Sequence, residues 1–137
     1  MKTVFHLSLP CNDVTETKAF YKQTIGCEIG RSSHNWVDVN LFDHQVTFTN
    51  AGKFNFNNPN YVFEGKILPS FHFGIIVPQN EWKQLYKKMK DTDYEVVTKT
   101  KFLDGKKGKH LSFFIKDPNG YMLEFKTFEN DKEVFSG

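Results

Sequence analysis

Two histidines and a glutamate stand inside strand-like runs of this chain. They are His6 in Val4-Phe5-His6-Leu7-Ser8, His72 in Phe71-His72-Phe73-Gly74-Ile75-Ile76, and Glu124 in Tyr121-Met122-Leu123-Glu124-Phe125-Lys126. Each side chain can donate a lone pair to a metal ion. Two imidazoles and one carboxylate, with other coordination positions open to water or substrate, form the donor set of non-haem Fe(II) oxygenases and of some catalytic Zn and Mn centres. Taken singly, a His or Glu in a strand is more often a hydrogen-bonded residue or one on the wet face. Glu124 is harder to dismiss, because strand alternation sends Leu123 and Phe125 to one face and groups Met122, Glu124 and Lys126 on the other. If that face points inward the carboxylate needs a partner, and a cation supplies one.

The elements that must bring these residues together read as two similar series. A strand over Lys2–Pro10 leads to a helix that Asn12 or Asp13 can cap, with Glu16 three residues after Asp13 as in a capping box. Val14, Thr17, Phe20 and Tyr21 follow at helical spacing until Gly26 stops the helix. Strands are expected at Cys27–Ser32, Asn35–Leu41 and Gln45–Asn50, the last two joined by Phe42-Asp43-His44. Residues 51–69, rich in Asn, Gly, Phe and Pro, show neither period and read as a long connection of the kind that often covers a site. The order then repeats. A strand at Phe71–Val77 precedes a helix from Asn80 to about Asp91, with Trp82, Leu85, Tyr86 and Met89 on one face. Strands at Tyr94–Lys101, Lys109–Lys116 and Tyr121–Phe128 complete the series, the last two joined by the tight-turn run Asp117-Pro118-Asn119-Gly120. The expected organisation is one domain: a βαβββ module over about 1–50, the connection 51–69, a second module over about 70–128, and a tail 129–137. His6 and His72 occupy equivalent first strands, so a ligand from each and Glu124 from the last strand can surround one point.

Composition narrows the function classes. A chain of 137 residues can bury a real core. Its 15 phenylalanines suit either that core or an aromatic cavity. With 18 basic and 16 acidic residues, a net charge of +2 argues against nucleic acid or an anionic membrane as the main partner. Lys106-Lys107-Gly108-Lys109-His110 is the one basic run and reads as a solvated hairpin tip. Cys11 and Cys27 have no Cys-x-x-Cys spacing and are expected as reduced thiols. The opening residues go straight into a strand, without the apolar region of a signal peptide, and a cytoplasmic location is expected.

The chain resembles the vicinal oxygen chelate superfamily, the group of glyoxalases, bleomycin-resistance proteins and extradiol dioxygenases. The resemblance is carried by His6, Ala19-Phe20-Tyr21, Ile25-Gly26-Cys27, Phe71-His72-Phe73-Gly74 and Asp117-Pro118-Asn119-Gly120-Tyr121-Met122-Leu123-Glu124-Phe125. It covers nearly the whole chain. It implies an α+β fold in which two βαβββ modules form an open, cup-shaped mixed sheet around a divalent ion that the substrate chelates through two oxygens. The family's metal ligands fall on His6, His72 and Glu124. The position of a fourth ligand falls on Thr47, or on Gln45 if the register slips by two residues. Thr is a poor ligand, so glyoxalase-like lyase or isomerase chemistry ranks below an extradiol-type dioxygenation with Fe(II), then Mn, Zn or Ni. Phosphonate chemistry ranks lower still, because Arg31 is the only arginine. The competing class is a bleomycin-resistance-type protein that binds a small molecule without catalysis. The resemblance also implies a homodimer.

Beyond the ligands, His44, His110 and Tyr121 are candidate acid–base groups; His44 at a turn and His110 beside the lysine run are expected to be solvated. Tyr121 has the opposite parity to Glu124. Trp36, Phe48, Phe73 and Phe114 are the candidate substrate-binding residues, with Phe54 and Phe56 as further aromatics, at least half of this group being expected in the core.

Overall fold

The computed structural model describes residues 1–136, with the backbone alone at residues 97–99. The chain forms two compact units, Met1–Phe56 with Asp117–Gly120, and Asn57–Lys116 with Tyr121–Gly137. Each carries a four-stranded mixed sheet and a helix. Gly137, the end of the expected tail, lies outside the described residues. Among the described residues no helix is long and apolar enough to cross a membrane.

In the first unit the elements are β1 (His6–Pro10), α1 (Val14–Ala19), β2 (Glu28–Ser32), β3 (Trp36–Leu41) and β4 (His44–Thr49). The sheet order is β1-β4-β3-β2, with β1 parallel to β4 and the other pairs antiparallel. The first strand starts at His6 rather than at Lys2. Asp13 caps α1, its carboxylate accepting the Glu16 N–H at 2.7 Å. After Ala19 the helix widens into a π-helical turn, Phe20–Ile25. There the Tyr21 carbonyl accepts both Gly26 N–H (3.1 Å) and Cys27 N–H (2.8 Å). Gly26 closes it at φ 92°, in the left-handed region where a side chain would be strained. Thr17, Phe20, Tyr21 and Ile25 are buried, as are Val37, Val39, Leu41, Val46 and Phe48 of the sheet, and the Tyr21 and Phe48 rings meet at 4.8 Å. Phe42 and Asp43 connect β3 to β4, both at positive φ as primed hairpin turns require.

The Asp117–Gly120 turn completes this unit. Its Gly120 N–H returns to the Asp117 carbonyl at 3.1 Å, and the Asn119 N–H reaches Asp117 Oδ1 at 2.9 Å. Buried Asn119 accepts the Asn12 N–H (2.8 Å) and donates to Thr17 Oγ1 (3.1 Å), while the Tyr21 hydroxyl donates to Asp117 Oδ2 (2.9 Å). The tight-turn residues therefore do more than reverse the chain. They hydrogen-bond the helix start and the first turn of the π segment.

The second unit opens with a feature the sequence reading did not expect. Residues 51–69 are not one irregular connection: β5 (Asn60–Phe63) and β6 (Lys66–Pro69) form a hairpin through Glu64 and Gly65, both at positive φ. Every residue of β5 is exposed, so the alternation that marks a half-buried strand is absent from its sequence. Then come β7 (Phe73–Ile76), α2 (Gln79–Lys90), β8 (Val96–Phe102), β9 (His110–Lys116) and β10 (Met122–Phe128), in sheet order β7-β10-β9-β8 with β7 parallel to β10. The helix packs by its Trp82 and Met89 side: Trp82 donates its indole N–H to the Phe125 carbonyl at 2.8 Å, stacks on Tyr86 at 5.6 Å and meets Phe113 edge-on. Phe113 in turn stacks on Phe125 at 5.2 Å. Two polar atoms, Ser112 Oγ and Thr127 Oγ1, are buried without a hydrogen-bond partner among the described residues.

Candidate functional site

Alternation in β9 and β10 sorts the second unit's side chains into two sets. Phe113, Phe125 and Leu123 form the side that packs under α2. The antiparallel register pairs Glu124 with Phe114, Lys126 with Ser112 and Phe128 with His110, and these residues share the opposite face. On that face lies a cleft of about 200 Å³ lined by Tyr61, Phe63, Leu68, His72, Phe102, His110, Phe114, Glu124 and Lys126. The β5–β6 hairpin supplies Tyr61, Phe63 and Leu68. Leu68 is buried against Phe102 and Phe114, with Met122 beside them, and the Phe63 ring lies 5.3 Å from that of Phe102. The stretch expected to cover a site does line one, as an ordered hairpin.

Two of the three expected metal donors meet here. His72 Nε2 lies 3.4 Å from Glu124 Oε1. His72 sits one residue before β7 rather than inside it, and its Nδ1 faces the Pro69 carbonyl at 2.9 Å. The carbonyl can only accept, so this contact puts a proton on Nδ1, as carbonyl partners do for ligating histidines, and it turns Nε2 toward the carboxylate. The ring also stands edge-on to Phe114 at 5.3 Å. Glu124 is buried, and Lys126 Nζ lies 3.6 Å from its Oε1.

The backbone here admits little variation. Gly74 pairs with Glu124 across the parallel β7–β10 ladder, and a Cβ added to Gly74 would collide with the Glu124 carbonyl. Glycine at this position lets the strand carrying the carboxylate lie against its neighbour.

His110 was expected in solvent and is not. Its ring is half-buried between Phe102 (5.2 Å) and Phe128 (5.0 Å), with Nδ1 at 2.8 Å from the Gly108 carbonyl. Burial, with the Lys126 charge as a smaller contribution, pushes its pKa below the ordinary histidine value, against the opposing effects of the Gly108 carbonyl and the nearby carboxylates. At neutral pH its Nε2 is therefore a bare proton acceptor at the cleft wall. The alternation of β9, which puts His110 with Ser112 and Phe114, was the signal that could have placed it. Its neighbour Lys109 is also engaged, by Glu129 at 2.9 Å and Asp104 at 3.2 Å, whereas Lys106 and Lys107 are exposed as expected.

The remaining candidates lie elsewhere. His6 belongs to the first unit, exposed at the head of β1 and in register with Gln45. Among the described residues no group of three His, Cys, Asp or Glu side chains is poised to hold an ion. Thr47 and Gln45, the possible fourth ligands, both turn to Asp38: Thr47 Oγ1 donates to Oδ1 at 2.6 Å and Gln45 Nε2 to Oδ2 at 3.3 Å. Arg31 reaches the same carboxylate at 3.4 Å and lies over the Trp36 ring at 5.7 Å. Asp38, Arg31, Gln45 and His44 border a separate hollow of about 540 Å³ in the first unit. His44 itself accepts the Phe5 N–H at Nδ1, 3.1 Å away, a structural bond rather than a free base. Tyr121 is buried against Phe71 and Phe73. Of the aromatic candidates only Phe114 reaches the His72–Glu124 cleft. Phe48 is core, Phe73 pairs with Leu123 and so shares the face opposite Glu124, and Trp36 lies on the polar face of the first unit.

Comparison with known proteins agrees with this architecture. A structure described as glyoxalase/bleomycin resistance protein/dioxygenase from Alicyclobacillus acidocaldarius is 25% identical, covering 98% of this chain and 97% of its own, with a TM-score of 0.82. The fosfomycin resistance protein FosX from Listeria monocytogenes (13% identity, 97% and 98% coverage, TM-score 0.70) and the lactoylglutathione lyase from Agrobacterium tumefaciens (15% identity, 93% and 94% coverage, TM-score 0.64) share the fold. No curated protein matches the sequence. The profile of one superfamily matches residues 3–125, nearly the whole chain, and on that match the protein belongs to the Glyoxalase/Bleomycin resistance protein/Dioxygenase superfamily.

Proposed function

We propose that this protein is a divalent-metal-dependent enzyme acting on a small substrate that presents two oxygens to the ion, with extradiol-type dioxygenation of a catechol-like ring as the leading reaction. The observation that carries the reading is the His72–Glu124 pair at the edge of an aromatic cleft. An imidazole with Nδ1 held by a backbone carbonyl and a buried carboxylate fit a divalent ion of the Fe, Mn or Zn type. His6, assigned by family resemblance, is the third ligand of the proposal. When bound, such an ion supplies Lewis-acid polarisation of the two substrate oxygens.

The chain's own residues supply the rest. A volume of about 200 Å³ suits a single ring, which Phe114, Phe102 and Phe63 would flank. Tyr61 and Phe63 of the hairpin restrict water. His110 Nε2 receives the proton that a substrate hydroxyl gives up on binding, a role its lowered pKa keeps available at neutral pH.

One observation favours a second reading. The Lys126 ammonium, 3.6 Å from Glu124, already supplies the buried carboxylate with a cation, as a metal-free binding protein would need. Elemental analysis of anaerobically purified protein separates the two. The enzyme reading expects about one Fe, Mn, Zn or Ni per chain, lost in His72→Ala and in Glu124→Ala, and oxygen uptake with a panel of catechols. No stoichiometric metal after reconstitution with each ion would leave the binding protein.

A further inference from the structure

We infer that the cleft where α2 begins is a binding site for a small oxyanion, a phosphate or carboxylate group, held by Lys101, the Thr127 hydroxyl and the first-turn N–H groups of the helix. The site lies on the face of the second sheet opposite Glu124 and stands apart from the proposed metal chemistry.

Strand register builds it. β8, β9 and β10 place Lys101, Leu111 and Thr127 in one row across the sheet, Lys101 opposite Leu111 and Leu111 opposite Thr127. The next row on that face, Phe113 and Phe125, is the one that α2 covers through Trp82. Gln79 stands about one helical turn before Trp82, so the helix begins over the row that Thr127 ends. A cleft of about 220 Å³ opens there, with Gln79, Lys101, Lys109, Leu111, Thr127 and Glu129 in its lining. That is below the roughly 300 Å³ at which pockets for drug-sized ligands begin, so the ligand is small.

Two independent features suit the cleft to negative charge. The first is the start of α2, a helix of 12 residues whose N-cap is Pro78, without a side-chain hydrogen bond. The first-turn N–H groups and the positive end of the helix dipole are left open. Glu81, at the position from which a capping box closes, finds no N–H on Pro78 to accept. The second is Thr127, which is 2% exposed and whose hydroxyl has no hydrogen-bond partner among the described residues, although the residue is part of the cleft wall. A buried hydroxyl without a partner is costly, and an oxyanion supplies the acceptor. The charges agree. Lys109 is occupied by Glu129 at 2.9 Å and Asp104 at 3.2 Å, which also takes the acid of the lining out of competition. Lys101 is exposed and forms no ion pair among the described residues, so one ammonium is left for the ligand.

The test titrates the full chain with inorganic phosphate at pH 7.5 and constant ionic strength, with sodium chloride making up the balance. Phosphate should raise the unfolding midpoint where chloride does not, and should move the amide resonances of Gln79, Asn80 and Glu81. Lys101→Met should weaken phosphate binding at least about tenfold, the loss expected for one charge-assisted contact. Lys107→Met, at an exposed lysine outside the cleft, should leave it unchanged. Thr127→Val should weaken binding yet leave the phosphate-free protein at least as stable as wild type, because it removes an unbonded hydroxyl. A parallel titration with acetate distinguishes the two ligand groups, the tighter binder naming the one the site is built for. The site is overturned if neither anion acts beyond chloride, if the resonances move only around His72 and Glu124, or if affinity survives Lys101→Met in a protein with native circular dichroism.

Discussion

His72 and His110 are held in the same manner, each with Nδ1 on a backbone carbonyl, and His72 turns its Nε2 to Glu124. The difference lies in what surrounds the ring. His110 is wedged between two phenylalanines, and burial lowers its pKa. A histidine depressed in the folded state binds fewer protons there than in the unfolded chain. Its contribution to stability is therefore complete above the ordinary histidine value and is lost as the pH falls through the lower folded value. His110→Phe keeps a ring in place and removes the titration. Urea midpoints at pH 7.5 and pH 5 should show wild type losing more stability than the variant over that interval; equal losses would mean that the ring titrates as it would in water. The meeting of His72 and Glu124 was legible from residue type and strand setting. His110 was not, because the adjacent lysines suggested a wet tip, whereas the tip ends before the strand alternation takes over.

At the scale of elements, the β7–β10 pair leaves less room for a side chain at Gly74 than any other described glycine position whose surroundings are resolved. Gly74→Ala would place a methyl against the Glu124 backbone with no flexible atom to yield. The strands must separate, at the upper end of the roughly 1–3 kcal/mol typical of overpacking, and Glu124 moves with them. Thermal unfolding should reveal a marked fall in midpoint, and metal affinity, where metal binds, should fall with it. A variant as stable as wild type would show that the strand pair can relax. The helices, the paired strands and the Asp117–Gly120 turn were legible because period, cap and turn residues agree. The β5–β6 hairpin escaped because Asn60, Tyr61, Val62 and Phe63 are all exposed, leaving Glu64-Gly65 as the only local sign. The turn's hydrogen bonds to Asn12, Thr17 and Tyr21 join residues about a hundred positions apart, a separation at which no local pattern can speak.

For the molecule as a whole, both cysteines are buried, Cys11 completely, and burial raises the Cys11 thiol further from ionisation. A thiol reagent at pH 7.5 should therefore label neither within minutes in the native protein and both once it is unfolded; rapid native labelling of Cys11 would show that the first unit opens easily. The two units repeat one register. Ser8 faces Thr47 as Gly74 faces Glu124, and Asp38 faces Thr47 as Phe114 faces Glu124. At the position where one copy holds a carboxylate the other holds a hydroxyl, and the acid stands one strand to the side. The two halves therefore differ in what they tolerate: Ser8 carries a side chain at the place where Gly74 has room for none, so substitution there strains only the half that bears Glu124.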